Sequence, residues 1–303
     1  MYQRGASATQ VVLGIAVIAW EEGPSEQGKT MAAILAPRSV ESWAQRLGEP
    51  EIPVMRRTVR ALARLHRQEE EADSHGIAQI VLGDPLMTLK LLRRIVARRS
   101  RRIITDTETV TAAVLLLGVP PFFREFDGQA VVEECFAGRA SQFRHLLELL
   151  RRSRRAALLA VGLAVQRKDG ETELIYEAAM LDDFAGLLLW CHEPDLAAEM
   201  AQRQRADPSL RSASVQAELL GVELAAVQQY LLKRWQMPAA LIRLTDPRDR
   251  TPRARNVRLA VQLARHLDGG WDNPAIPDDI EEISALLNMS AAAARRKVEE
   301  ILA

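Results

Sequence analysis

Two adjacent carboxylates, Asp182 and Asp183, interrupt an otherwise apolar run from Ala178 to Trp190. Charged side chains in apolar surroundings need a partner or an ion, so this pair is where the chain would carry chemistry. Such a pair can hold a hard cation with further oxygen ligands, and Glu223 is the third candidate. Adjacent residues on a helix diverge by about 100°, so the two aspartates cannot both aim at one ion unaided. The competing arrangement is an ion pair between Asp183 and an arginine such as Arg152 in a cleft, with Asp182 solvated or hydrogen-bonded. Loss of the Asp183 carboxylate is then expected to cost a few kcal/mol, as for a partly buried charge left alone.

Other reactive residue types form no motif. His66, His75, His145, His192 and His266 share no HxxxH or HxxEH spacing. Cys191 and His192 are neighbours on a helix, where they cannot face each other as nucleophile and base. They read as a packed cysteine and a histidine at a helix end. Cys135 and Cys191 lack a CxxC spacing, which excludes a disulfide framework or structural zinc and fits a reducing cytosol.

Arginines cluster in three stretches: Arg93, Arg94, Arg98, Arg99, Arg101 and Arg102; Arg151, Arg152, Arg154 and Arg155; and Arg243, Arg248, Arg250, Arg253, Arg255 and Arg258. Their forks suit phosphate, and Arg98, Arg99, Arg101 and Arg102 are candidate phosphate or partner contacts. Aromatics are absent from all three, so stacking on single strands is not expected. Forty basic and forty acidic side chains cancel, which argues against a protein whose main work is gripping nucleic acid. Solvated faces and internal salt bridges are the expectation, with no phosphate-binding glycine loop beside them.

The elements that must position these residues are helical. Hydrophobic residues at 48% and charged residues at 26% describe an ordinary globular chain. Leu, Ala, Arg and Glu dominate, sustained strand alternation is missing, and the expected class is all-α. Residues 1–30 differ: a polar start, the apolar run Val11–Trp20, then Gly23-Pro24-Ser25-Glu26-Gln27-Gly28-Lys29-Thr30. They read as an appended extension and linker. The run is half the length a membrane span needs and lacks a signal-peptide cleavage site, so a cytoplasmic protein is expected.

Pro53 is expected to open the first strongly patterned helix, with Val54, Val59, Leu62 and Leu65. Asp84-Pro85 reads as an N-cap followed by proline at the first helical position. Thr105 and Glu108 have capping-box spacing before Val110–Leu117, which Gly118 stops. Pro120-Pro121 is expected to break the chain before Phe122, Phe123 and Phe126, which read as core. A long helix runs from about Ser141 past Leu163, and further helices are expected near 195–206, 213–221, 224–236, 238–245 and 252–267. Pro277-Asp278 with Glu281 forms another capping box, and Ser290 caps the last helix.

Four blocks in order resemble the HDOD family, bacterial output domains related to HD phosphohydrolases. They are Glu51-Ile52-Pro53-Val54; the stretch Ile80 to Leu92, with Asp84-Pro85 at its centre; Ala112 to Val119; and Leu231-Leu232-Lys233-Arg234-Trp235-Gln236-Met237-Pro238. The resemblance spans about 50–270 and implies an all-helical bundle in two lobes, an N-terminal one at 31–140 and an HD-like one at 141–303. HD enzymes hold a metal with histidines and aspartates from neighbouring helices. Here the resemblance implies relict positions: Asp182 stands where the family's core often has histidine, Arg152-Ser153 where an earlier histidine precedes serine, and Glu223 where another histidine follows Glu218. The later His-His pair has no match in Thr245-Asp246-Pro247-Arg248.

The expected function is a non-catalytic regulatory module without metal or cofactor. It would bind another signalling protein, a nucleotide or another small ligand, away from membranes. Two alternatives stay open: a metal-dependent phosphohydrolase with Asp182, Asp183 and Glu223 as an all-carboxylate site, and a phosphate or nucleic-acid binder using the arginines.

Overall fold

Among the described residues the first helix is α1, Val40–Gly48, capped by Ser39, whose side chain accepts a hydrogen bond from Ser42 N–H. The computed structural model describes residues 39–67, 73–98, 108–207 and 210–303. Residues 1–30, Thr105 and the arginines at 99, 101 and 102 lie outside them. Among the described residues every regular element is helical, apart from one parallel bridge between Val54 and Val131. These residues belong to one compact unit, Pro37–Ala303. Among them no helix is long and apolar enough to cross a membrane.

The N-terminal half contains α2 (Arg56–Arg67), α3 (Ser74–Leu82), α4 (Pro85–Arg98), α5 (Val110–Leu117), α6 (Val119–Glu125) and α7 (Val132–Cys135). Pro53 does not open α2. Val54 N–H donates to Ala130 O, and Val132 N–H donates to Val54 O, so 51–55 is held extended until Arg56. Thr109 caps α5. Gly118 stops it at φ 81°, a left-handed conformation a side chain would strain. Pro120 and Pro121 start α6 instead of breaking the chain, because prolines in a first turn forfeit no helical hydrogen bond. Phe122 and its neighbours Phe123 and Phe126 pack edge-on and tilted in the core, as their spacing suggested.

The second half is built on α8, Ala140–Gln166. Its buried Ala156, Ala157, Ala160 and Ala164 let two helices come close, α9 (Thr172–Met180) and α15 (Pro252–His266). Between those two run α10 (Phe184–His192), α11 (Pro194–Ala206), α12 (Ser212–Leu220), α13 (Leu224–Arg234) and α14 (Ala239–Leu244). Two helices follow α15: α16 (Ile276–Leu287) and α17 (Ala291–Leu302). The Pro277 capping box does not form, since α16 starts at Ile276 without a side-chain cap; Ser290 does cap α17. Helix α1 packs on α13 and α10, and its fully buried Trp43 donates Nε1–H to Leu220 O at 2.9 Å.

Candidate functional site

The apolar run that carries Asp182 and Asp183 is not one helix. α9 ends at Met180, residues 181–183 turn, and α10 starts at Phe184. Gln228, buried on α13, holds the break: its Nε2 donates to Asp182 O at 2.7 Å and its Oε1 accepts from Ala185 N–H at 3.3 Å. One side chain from a distant helix thus satisfies a free carbonyl and one of the orphan donors of α10. The helical divergence of the two aspartates therefore does not apply.

The break opens into a cavity of about 370 Å³ between α8, α10, α11, α12, α13 and α15. Arg152, Asp182, Asp183 and Glu223 all line it. Only one pair of the four touches: Arg152 Nη2 donates to Asp183 Oδ2 at 3.3 Å. The other guanidinium nitrogen, Nη1, reaches Asp268 Oδ2 at 3.4 Å, and Arg155 Nη1 donates to Asp268 Oδ1 at 2.9 Å. Burial pushes the Asp183 carboxyl up, and the Arg152 charge works against that. Asp182 goes further, to about 7: burial acts first, then the adjacent Asp183 charge, against Arg265 and Arg258. Glu223 sits exposed at the start of α13, and its carboxylate makes no hydrogen bond among the described residues.

The metal implied by the HD resemblance does not fit this arrangement. Among the described residues no three His, Cys, Asp or Glu side chains converge on a point. Asp183 is already engaged by a guanidinium and is not free to ligate. What the cavity offers is hydrogen bonding and charge without a coordination sphere.

The Asp183 carboxylate lies within the protein yet faces the cavity, with 43% of its side chain open. Solvent in the cavity screens the ion pair, so Asp183→Asn is expected to cost only about 1 kcal/mol, less than the sequence argument suggested. Urea midpoints of the two proteins check this. The turn also demands glycine at 186: a Cβ there would stand 2.5 Å from Asp183 Oδ1 and 3.1 Å from its Cγ. Gly186→Ala is expected to swing the carboxylate away from Arg152 while leaving the helical circular dichroism intact. A crystal structure of the variant with the Arg152–Asp183 pair unchanged would refute it.

Several of the remaining candidates among the described residues are occupied structurally, while Arg99, Arg101 and Arg102 lie outside them. Arg98 and Arg94 both pair with Glu125, and Arg253 with Asp169 and Glu171. Arg93 lies 4.8 Å over the Trp235 ring. Cys191 is buried, which pushes its thiol up, and burial pushes His192 down. Both stay neutral and neither activates the other. One expectation needs correcting from the sequence itself: Gly23-Pro24-Ser25-Glu26-Gln27-Gly28-Lys29-Thr30 does have GxxxxGK[ST] spacing. It lies outside the described residues, and a phosphate loop requires a strand before and a helix after it.

Sequence reasoning missed Gln228, Ser153 as a cavity wall, and two buried acids. From the sequence Asp84 reads only as a cap, and Glu177 carries no local signal.

Comparison with known proteins follows the same outline. The HDOD domain matches residues 52–249. The chain is similar to the MmoQ response regulator of Methylococcus capsulatus, with TM-score 0.61 and 19% identity over 82% of this chain and 98% of that one. It is also similar to a virulence factor of Campylobacter jejuni, with TM-score 0.60 and 20% identity over 87% and 98%. At such identities the likeness concerns the fold. No curated protein matches the sequence.

Proposed function

This chain belongs to the HDOD family, and from that premise we propose that it is a non-catalytic regulatory module of a cytoplasmic signalling system. It works by taking a ligand or a partner protein's side chain into the cavity beside Asp183. The observation that carries this reading is the Arg152–Asp183 pair: a guanidinium occupies the carboxylate that a metal-dependent hydrolase would need free. The fold of a protein described as a response regulator supports the signalling role. Asp182 and Glu223 line the cavity without a hydrogen-bonded partner, and no third ligand converges with them among the described residues, which supports binding over metal-assisted hydrolysis.

Purified protein assayed for metal content and for turnover of cyclic dinucleotides and nucleotides tests the reading. No turnover is expected with or without added Mn²⁺. Stoichiometric metal with hydrolysis that Asp183→Ala abolishes would overturn it.

A further inference from the structure

We infer that the cavity beside Asp182 binds a small organic cation, a primary amine or guanidinium on an apolar body, with Asp182 and Ser153 taking the charged nitrogen. The inference rests on the reading of the cavity as a binding site and names its ligand class. Ser153, on α8, is 6% exposed and lines the cavity, yet its hydroxyl has no hydrogen-bond partner among the described residues. The hydroxyl is not sealed from the cavity, so its hydrogen-bonding capacity is met there, by solvent or by a ligand. The Asp182 carboxylate lines the same space and is likewise without a hydrogen bond. The two therefore offer acceptors to one incoming group.

Three arguments select an organic cation. A metal needs several converging ligands, whereas an ammonium needs only acceptors for its three donors. With Asp183 held by Arg152, Asp182 is the inner carboxylate among the described residues that lacks a hydrogen bond, with only the Arg265 and Arg258 charges acting on it, too few groups for a metal and enough for an amine. An anion would meet that free carboxylate, while Arg152 is committed to both Asp183 and Asp268. The other lining arginine, Arg265, is exposed at the rim, where Glu223 also stands. Leu149, Leu189, Trp190 and Met200 provide an apolar wall for the body of the ligand.

Charged groups facing Asp182 come from each wall: Asp183 beside it, Arg152 from α8, Glu223 from α13, and Arg258 and Arg265 from α15. With its carboxyl at about 7, a cation that binds there must displace a proton at low pH. Affinity is therefore expected to be roughly tenfold weaker at pH 6 than at pH 8, following the ionised fraction of Asp182.

Calorimetric titration of the full chain with 2-phenylethylamine, against 3-phenylpropionate and Mn²⁺, provides the test. The amine shares its body with the carboxylate and differs in charge. Saturable one-to-one binding of the amine is expected, weakened about tenfold or more by Asp182→Asn and several-fold by Ser153→Ala, as for loss of a charge-assisted and a neutral hydrogen bond. Unchanged circular dichroism shows that each variant folds, and Ser153→Ala stands alone if Asp182→Asn does not. Amine binding indifferent to these variants, or no amine binding, overturns the inference. Binding of 3-phenylpropionate or Mn²⁺ in place of the amine overturns it too, while the regulatory reading survives. Metal-dependent turnover is the separate result that would overturn that reading.

Discussion

Asp84→Ala is expected to lower the free energy of unfolding by about 3–5 kcal/mol, as for a buried charge whose several donors lose their acceptor together. Asp84 is fully buried and accepts from Leu86 N–H at 3.0 Å and Met87 N–H at 3.4 Å, capping α4. Its other oxygen accepts from Met55 N–H at 3.0 Å and Thr58 Oγ1–H at 2.8 Å. One carboxylate thus ties the extended 51–55 segment, the start of α2 and the start of α4. Burial pushes its carboxyl up while these four donors pull it down. Alanine would leave three backbone N–H groups and a hydroxyl facing a void. Asp84→Asn keeps one acceptor oxygen but turns donors toward donors, so its loss is expected to fall between alanine and wild type. Urea denaturation ranks the three proteins, and an Asp84→Ala midpoint equal to wild type would refute the argument.

The second large effect concerns pH. Glu177, fully buried on α9, accepts from Val110 N–H at 2.6 Å, and Glu173 accepts from Thr111 N–H at 2.8 Å. Two acids one turn apart therefore cap α5 from across the fold, beside the local Thr109 cap. Burial raises the Glu177 carboxyl well above its ordinary range, and the neighbouring Glu173 adds to this against the Val110 hydrogen bond. The folded state consequently holds the proton more tightly than the unfolded chain. Its contribution is fully present below the ordinary glutamate value near 4.5 and is lost as pH rises through the folded value. Glu177→Gln keeps an acceptor for Val110 and cannot ionise. It should match wild type near pH 4 and exceed it at pH 8. Glu177→Ala, which removes the acceptor, should be less stable at pH 4 by about 1–3 kcal/mol. Parallel pH dependence of wild type and Glu177→Gln would show that Glu177 does not set the slope.

Much of the fold was legible in local chemistry. The five helices expected between 195 and 267 form within a residue or two of their expected bounds, because their apolar spacing, prolines and glycines agree with one another. Asp84-Pro85 and Ser290 act as caps because capping is decided within four residues. The failures share a cause. Pro53, the Pro120-Pro121 pair and Pro277 carry signals that a distant segment or a first-turn position reassigns, and only packing shows which.

The apolar run with its paired aspartates marked the right place in the chain, since carboxylates in such surroundings must be accounted for. Its residue types, and the family blocks around it, were enough to imply an all-helical fold of HDOD type. They were not enough to place the break. Whether 178–190 continues or bends depends on Gln228, which lies more than forty residues away and competes for the backbone of that turn. The same bend decides that Asp183 meets Arg152 and that Asp182 faces the cavity that Ser153 also lines. Sequence determines which groups are available and which periodicity they follow, because those properties are local. Which group is paired and which is left free is decided when α8, α13 and α15 close around the cavity, because charge and hydrogen bonding depend on distance in space.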